Sequence, residues 1–340
     1  MRKFIFRSTN RLIFLTAILV YISTGCEKPT IVKSPSSDPV AVFDELYNFM
    51  DTHYSMFSVK GVDWKQVYIE YRPQVKTEMS EADLFKLLSS MLYTLKDGHV
   101  NLMTRKDTSA YTNFYKAYPT NFNYANIVNR YLGNDFKTSG PIIYKVVNNL
   151  GYIYYKSFSR PVTDDDLNRI FTDVAPTKGL IVDVRNNFGG QSINTEKLFS
   201  RFISEKLLVK YEVTKRGVGH DDFFEPVPFY ASPSLSPYKK NVILLANRLC
   251  FSTCNDFVLY MSLLPNVKIV GDQTGGGGGN PFNYVLANGW KIQYSATRTL
   301  SPDKSNIESG ILPDYPIEIS NADEVAGKDP ILEKAFELLR

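Results

Sequence analysis

Between residues 39 and 95 apolar positions recur every three to four residues. Phe43, Leu46, Tyr47 and Met50 form one set, Trp64, Val67, Tyr68 and Tyr71 a second, and Leu84, Leu87, Leu88, Met91 and Leu92 a third. Residues at that spacing share one helix face, so the pattern predicts about three amphipathic helices. Asp63 stands where a helix cap is expected, and Ser80 with Asp83 approximates a capping box. The period then changes. Residues 100–103 read as a strand, and 104–140 are aromatic and polar without a clean repeat. Residues 142–147 and 152–158 read as strands around an Asn148-Asn149-Leu150-Gly151 turn. Helix and strand patterns alternate afterwards: helices over 164–174, 192–203 and 255–264, and strands over 180–184, 242–246 and 267–270. Residues 283–287 and 290–297 predict a hairpin around Asn288-Gly289. Asp329 as cap and Pro330 at the first helical position open a last helix to Leu339. Such alternation implies an α/β core, here preceded by a small helical domain.

The amino terminus has another character. Arg2, Lys3, Arg7 and Arg11 precede a mostly apolar run over 12–22, followed by Ser23, Thr24, Gly25 and Cys26. That run is too short to span a bilayer as a helix but suits a signal-peptide core over 1–25. A Cys directly after a small-residue site resembles a bacterial lipoprotein signal, which implies that Cys26 is lipidated and becomes the first mature residue. Residues 26–37, with Pro29, Pro35 and three Ser, read as a tether. The expectation is an exported protein held on a membrane by acyl chains.

Composition adds exclusions. The chain has 340 residues, 44% apolar and 22% charged, which is ordinary for a globular protein. This length holds a helical domain over 38–96 and an α/β core over 97–340. The net charge of +4 comes from the four basic residues before residue 25; the remainder carries 35 basic and 35 acidic groups. No basic patterning suggests nucleic-acid binding. Three Cys and three His exclude a multi-ligand zinc array, and neither metal nor cofactor is expected.

Hydrolysis near neutral pH commonly uses a histidine. His53 falls within a helix pattern, and His220 in a charged loop where solvation is expected. His99 stands at the helix-to-strand junction Leu95-Lys96-Asp97-Gly98-His99. The run Asp183-Val184-Arg185-Asn186-Asn187-Phe188-Gly189-Gly190 leads from a buried strand into a glycine turn before a helix, where backbone N–H groups can hold negative charge. Ser252 occupies a similar place in Cys250-Phe251-Ser252-Thr253-Cys254-Asn255. Locally it reads equally as a helix cap or as a nucleophile. Gly275 to Gly279 lack the Lys-Ser/Thr ending of a phosphate-binding loop. Nucleotide binding is thereby excluded, and a mobile loop beside the site is expected.

In this order the four segments resemble the tail-specific (C-terminal processing) serine protease family, particularly its tricorn-core and retinoid-binding-protein-like branch. The fourth segment is Glu308-Ser309-Gly310-Ile311-Leu312-Pro313-Asp314. The resemblance implies a Clp-protease/crotonase-like core and a peptide or protein substrate. Ser252 would be the nucleophile, His99 its base, and Glu308 would polarise or orient that base. Thr253, with Gly189 or Gly190, would supply the oxyanion hole. Three positions depart from the family pattern. Gly277 stands where a Ser–Lys dyad has its lysine, Asn255 replaces an acid, and Gly98 replaces a serine beside the histidine. Only about 50 residues separate His99 from the strand at Tyr152, so no complete PDZ module is expected. Two rival readings remain: a peptide-binding or apolar-ligand-binding protein without turnover, and a site using Cys250 or Cys254, which otherwise act as packing residues or form a disulfide.

Overall fold

The computed structural model describes residues 38–340; the expected signal, Cys26 and the tether lie outside them. A seven-stranded sheet runs through the centre. In spatial order its strands are Tyr315–Pro316, Val267–Gly271, Val242–Ala246, Leu180–Asp183, Leu150–Tyr155, Ile142–Val147 and Lys137–Ser139. The first five pair in parallel, and the last two add antiparallel. Every residue of Leu180–Asp183 and Val242–Ala246 is buried, as strands covered on both faces require.

Their side chains alternate between two cores. Leu180, Val182, Val242 and Leu244 pack with helices Asp164–Val174, Ser192–Phe199 and Thr253–Ser262. Ile181, Ile243 and Leu245 face the opposite side, where Ile331, Leu332 and Ala335 of helix Pro330–Leu338 cover them. Buried Arg185 fastens that last helix: it pairs with Asp183 at 2.7 Å and with the helix cap Asp329 at 2.9 Å. The α/β expectation holds for the described residues.

Among the described residues, the amino-terminal region contains four α-helices where about three were expected, Pro39–His53, Phe57–Lys60, Trp64–Tyr71 and Glu81–Tyr93, with a 3-10 turn over Arg72–Gln74. The additional one is a single turn ended by Gly61 in the left-handed region, too short to imprint a periodicity. These helices do not close their core alone. Leu286, Trp290, Ile292 and Tyr294, from or beside strands Pro281–Val285 and Lys291–Ser295, complete it. Strands Leu207–Thr214 and Val227–Ala231 were not foreseen. Four of the five residues in Val227–Ala231 are exposed, so no burial alternation marks that strand.

Candidate active site

Both motif turns leave the carboxyl ends of adjacent parallel strands, the edge where open α/β sheets place their ligands. Leu180–Asp183 leads into the Asn186–Gly190 turn, and Val242–Ala246 leads to Ser252 ahead of helix Thr253–Ser262. Ser252 adopts φ 58° and ψ −126°. Such a conformation costs a residue with a Cβ about 1–3 kcal/mol and persists only when its surroundings impose it. Here the Ser252 N–H donates to the Gly276 carbonyl at 2.8 Å, and its carbonyl accepts the Asp256 N–H at 3.1 Å. The hydroxyl makes no capping bond to the helix. Instead Oγ lies 3.0 Å from Nε2 of His99, 153 residues earlier in sequence.

His99 is buried, with its ring 4.6 Å from that of Phe251, and its backbone N–H donates to Asp97 Oδ1 at 2.8 Å. Burial pushes the imidazole below its ordinary pKa, while Asp97 and Asp256 pull it upward and Lys60 opposes them. The ring is therefore neutral at pH 7. For Nε2 to accept from Ser252 the proton must reside on Nδ1, and Nδ1 has no partner among the described residues.

Glu308 does not stand where a direct partner of the imidazole would. One carboxylate oxygen accepts the Gly278 N–H at 2.7 Å, and the other pairs with Lys60 at 2.6 Å. No hydrogen bond joins it to His99 among the described residues. Burial, reinforced by Asp97, pushes its pKa up to about 7. Asp97 is itself anchored, its Oδ2 accepting from the hydroxyls of Tyr54 at 3.0 Å and Ser295 at 2.7 Å. Sequence reasoning assigned no role to Lys60, Tyr54 or Ser295. They reach the site only through tertiary packing, and no local motif marks them.

The glycine turn is built by Asn187. Its Oδ1 accepts the N–H groups of Phe158 at 3.2 Å and Gly189 at 3.0 Å, and its Nδ2 donates to the Tyr155 carbonyl at 2.8 Å. Gly189 has φ 86°, and a Cβ there would lie 2.6 Å from the Phe251 carbonyl oxygen and 2.9 Å from the Thr253 nitrogen. The Thr253 hydroxyl donates to the Gly190 carbonyl at 2.8 Å. Thr253, Gly189 and Gly190 thus lie together beside Ser252. The Gly189 N–H is engaged by Asn187, whereas the Thr253 N–H, at the helix start, has no backbone acceptor among the described residues.

The three departures have steric or bonding reasons. A Cβ on Gly98 would come within 2.7 Å of the Phe114 ring and 2.9 Å of Phe251, so a serine there would require those rings to shift. At Gly277 it would stand 2.5 Å from the Phe251 ring on a backbone with φ 81°, so a lysine there would need the ring to shift and the chain to accept a strained conformation. Asn255 braces its helix, donating to the Ile307 carbonyl at 3.1 Å and accepting the Thr274 hydroxyl at 2.5 Å.

Two expectations are corrected. The glycine run is not a mobile loop: Gly276 to Gly279 are buried, and Gly276 carries the backbone of Ser252. Glycine is required there because a Cβ on Gly276 would sit 1.9 Å from the Glu308 carbonyl oxygen. His220 is not simply solvated, since Nε2 meets Asp51 at 2.8 Å and its ring stacks on Phe57 at 4.2 Å. Cys250 and Cys254 are free and buried, both thiols directed at the Val184 carbonyl. Burial pushes the Cys254 thiol well above its ordinary pKa, so it stays protonated and serves packing.

Family models described as Peptidase family S41 and Tricorn protease C1 domain match residues 149–317 and 36–93. A solved structure of a candidate peptidase from Parabacteroides merdae ATCC 43184 is 42% identical, with TM-score 0.87, over 89% of this chain and 97% of that one. Tricorn protease of Thermoplasma acidophilum is 27% identical over 201 residues, 56% of this chain and 16% of its own length. The chain therefore spans about a sixth of that curated relative. Mature CPAF, at 12% identity and TM-score 0.68 over 89% of this chain and 96% of that one, shares the fold.

Proposed function

This chain belongs to peptidase family S41, and on that premise we propose that it is a serine peptidase working through an acyl-enzyme, with Ser252 as nucleophile and His99 as general base. The observation that carries the reading is the 3.0 Å approach of Ser252 Oγ to Nε2, made by a serine whose hydroxyl caps nothing. A neutral imidazole takes the hydroxyl proton as Oγ attacks the substrate carbonyl, then gives it to the leaving amine, and water releases the acyl group. The Thr253 N–H, with the Gly190 N–H, receives the oxyanion; one such donor contributes about 2.7–4 kcal/mol. Fluorophosphonate labelling that maps to Ser252, together with cleavage of a peptide library, tests the reading. An unlabelled, inactive wild type would instead indicate a binding protein.

The substrate side chain beside the scissile bond meets aromatic rings. Phe188 is 47% exposed and immediately precedes Gly189. Its ring centroid lies 5.3 Å from that of Phe251, 5.9 Å from Tyr115 and 6.0 Å from Phe114. We read this shelf as selecting peptides with a large apolar residue there. Phe188→Ala lowers kcat/KM for such peptides by about tenfold, and by less for peptides with glycine at that position; a matched peptide series measures it.

For location, we propose export and anchoring through acylated Cys26, on the sequence pattern alone. Cys26→Ala then moves the protein from the membrane fraction to the soluble exported one, and unchanged membrane retention would reject the anchor.

A further inference from the structure

Lys60 is the last residue of the short helix Phe57–Lys60, and Gly61 turns the chain away behind it. Its stem carries the ammonium inward to two acceptors from separate catalytic segments. Nζ donates to the Lys96 carbonyl at 3.0 Å, in the turn that delivers His99, and lies 2.6 Å from Glu308 Oε1. The two side chains are 17% and 3% exposed, so little water screens the pair.

The need for a cation follows from what else is buried there. Asp97 is 1% exposed and Glu308 4%. The negative charge of Asp97 adds to burial in raising the Glu308 pKa. Hydroxyls of Tyr54 and Ser295 and the His99 N–H satisfy Asp97. Glu308 has one backbone N–H, from Gly278, and Lys60. Asp97, Lys60 and Tyr54 are the titratable groups that act on or respond to Glu308, while Glu308, Asp97, Tyr111 and His99 are those coupled to Lys60. Lys60 is the cation among them. Without it, two buried acids would remain with no counter-charge, and one of them would hold its proton.

We propose that Lys60 is a positioning residue of the catalytic centre, whose ammonium favours the carboxylate form of Glu308 and fixes it between the glycine run and the His99 turn. It touches neither substrate nor the reacting atoms. It acts through Glu308 and through the Lys96 carbonyl, so the amino-terminal helices are part of the catalytic apparatus rather than an appendage. This inference rests on the reading of Ser252 and His99 as the reacting pair.

Direction follows from charge. A cation favours the carboxylate, so removing it raises the midpoint at which Glu308 takes up a proton, from about 7 in the native protein. The test titrates the protonated-carboxyl infrared band that Glu308→Gln abolishes, alongside the pH profile of kcat/KM. In Lys60→Met both midpoints move upward by at least about one pH unit, and kcat/KM at pH 7.5 falls about threefold or more. Lys60→Arg leaves the midpoints in place because the charge is kept. In a Glu308→Gln background, Lys60→Met costs clearly less than it does in the wild type, the remainder of its effect coming from the Lys96 contact and its charge near His99. A folded Lys60→Met protein with unshifted midpoints overturns the proposal, as does an additive loss in the double variant. Should Lys60→Met fail to fold, Lys60→Gln carries the same measurements. Fluorophosphonate labelling of the wild type separates the two failures: unlabelled Ser252 removes the underlying reading, whereas labelled Ser252 with unshifted midpoints removes only Lys60.

Discussion

Replacing Ser252 or His99 by alanine lowers kcat for peptide hydrolysis by about 10⁴–10⁶-fold, and replacing both costs little more than either alone. Non-additivity is the informative part. On the proposed reading, the 3.0 Å contact makes the hydroxyl and imidazole one chemical unit: without the base, the serine would keep its proton; without the serine, the base would have nothing to activate. Ser252→Ala should also fold normally, since the strained turn is held by backbone bonds to Gly276 and Asp256 rather than by the hydroxyl. Steady-state kinetics of the two single variants and the double variant, with thermal melting as the folding control, provide the measurement. Additive losses would mean that the two groups work independently, and the acyl-enzyme reading would fail.

Gly189→Ala produces the second large effect, a fall in kcat of about 10²–10³-fold with a smaller change in KM. Two causes act together. The new methyl lies 2.9 Å from the Thr253 nitrogen and 3.1 Å from the Ser252 Cβ, in the space a substrate oxyanion would occupy. A φ of 86° is also unfavourable for alanine, which lowers stability by about 1–2 kcal/mol. Single-turnover kinetics on an ester and on a peptide locate the loss in acylation. Melting temperature separates this from unfolding, and a variant with native kcat would place the oxyanion elsewhere.

How much of this was legible beforehand varied with the kind of interaction. Helix Asp164–Val174 and strand Val242–Ala246 matched the sequence pattern to the residue, because apolar periodicity and capping are local and repeat along the chain. Strand Val227–Ala231 was missed because its side chains are mostly exposed and carry no alternation. The single turn Phe57–Lys60 was missed because four residues cannot display a period. At the site, Ser252, His99 and the glycine turn were nameable because four short segments in order resemble a known family, although locally Ser252 reads equally as a helix cap. Glu308 was also nameable, but its partners were not. Its contacts with Lys60 and Gly278 come from segments about 250 and 30 residues away, with nothing in between to suggest them. The glycine run was misjudged for the same reason. Glycine signals either freedom or close approach, and only the 1.9 Å that would separate a Gly276 Cβ from Glu308 identifies the second.

The amino-acid order alone therefore determined the alternating α/β layers, the helical start and the positions of the polar turns, since each depends on neighbours within a few turns of chain. Only the folded arrangement decided that Ser252 turns its hydroxyl away from the helix toward His99, that phenyl rings crowd Gly98 and Gly277, and that Lys60 pairs with Glu308. Those outcomes depend on excluded volume and on charge buried in a low dielectric, quantities set by whichever distant segments meet, and therefore written in no local stretch of sequence.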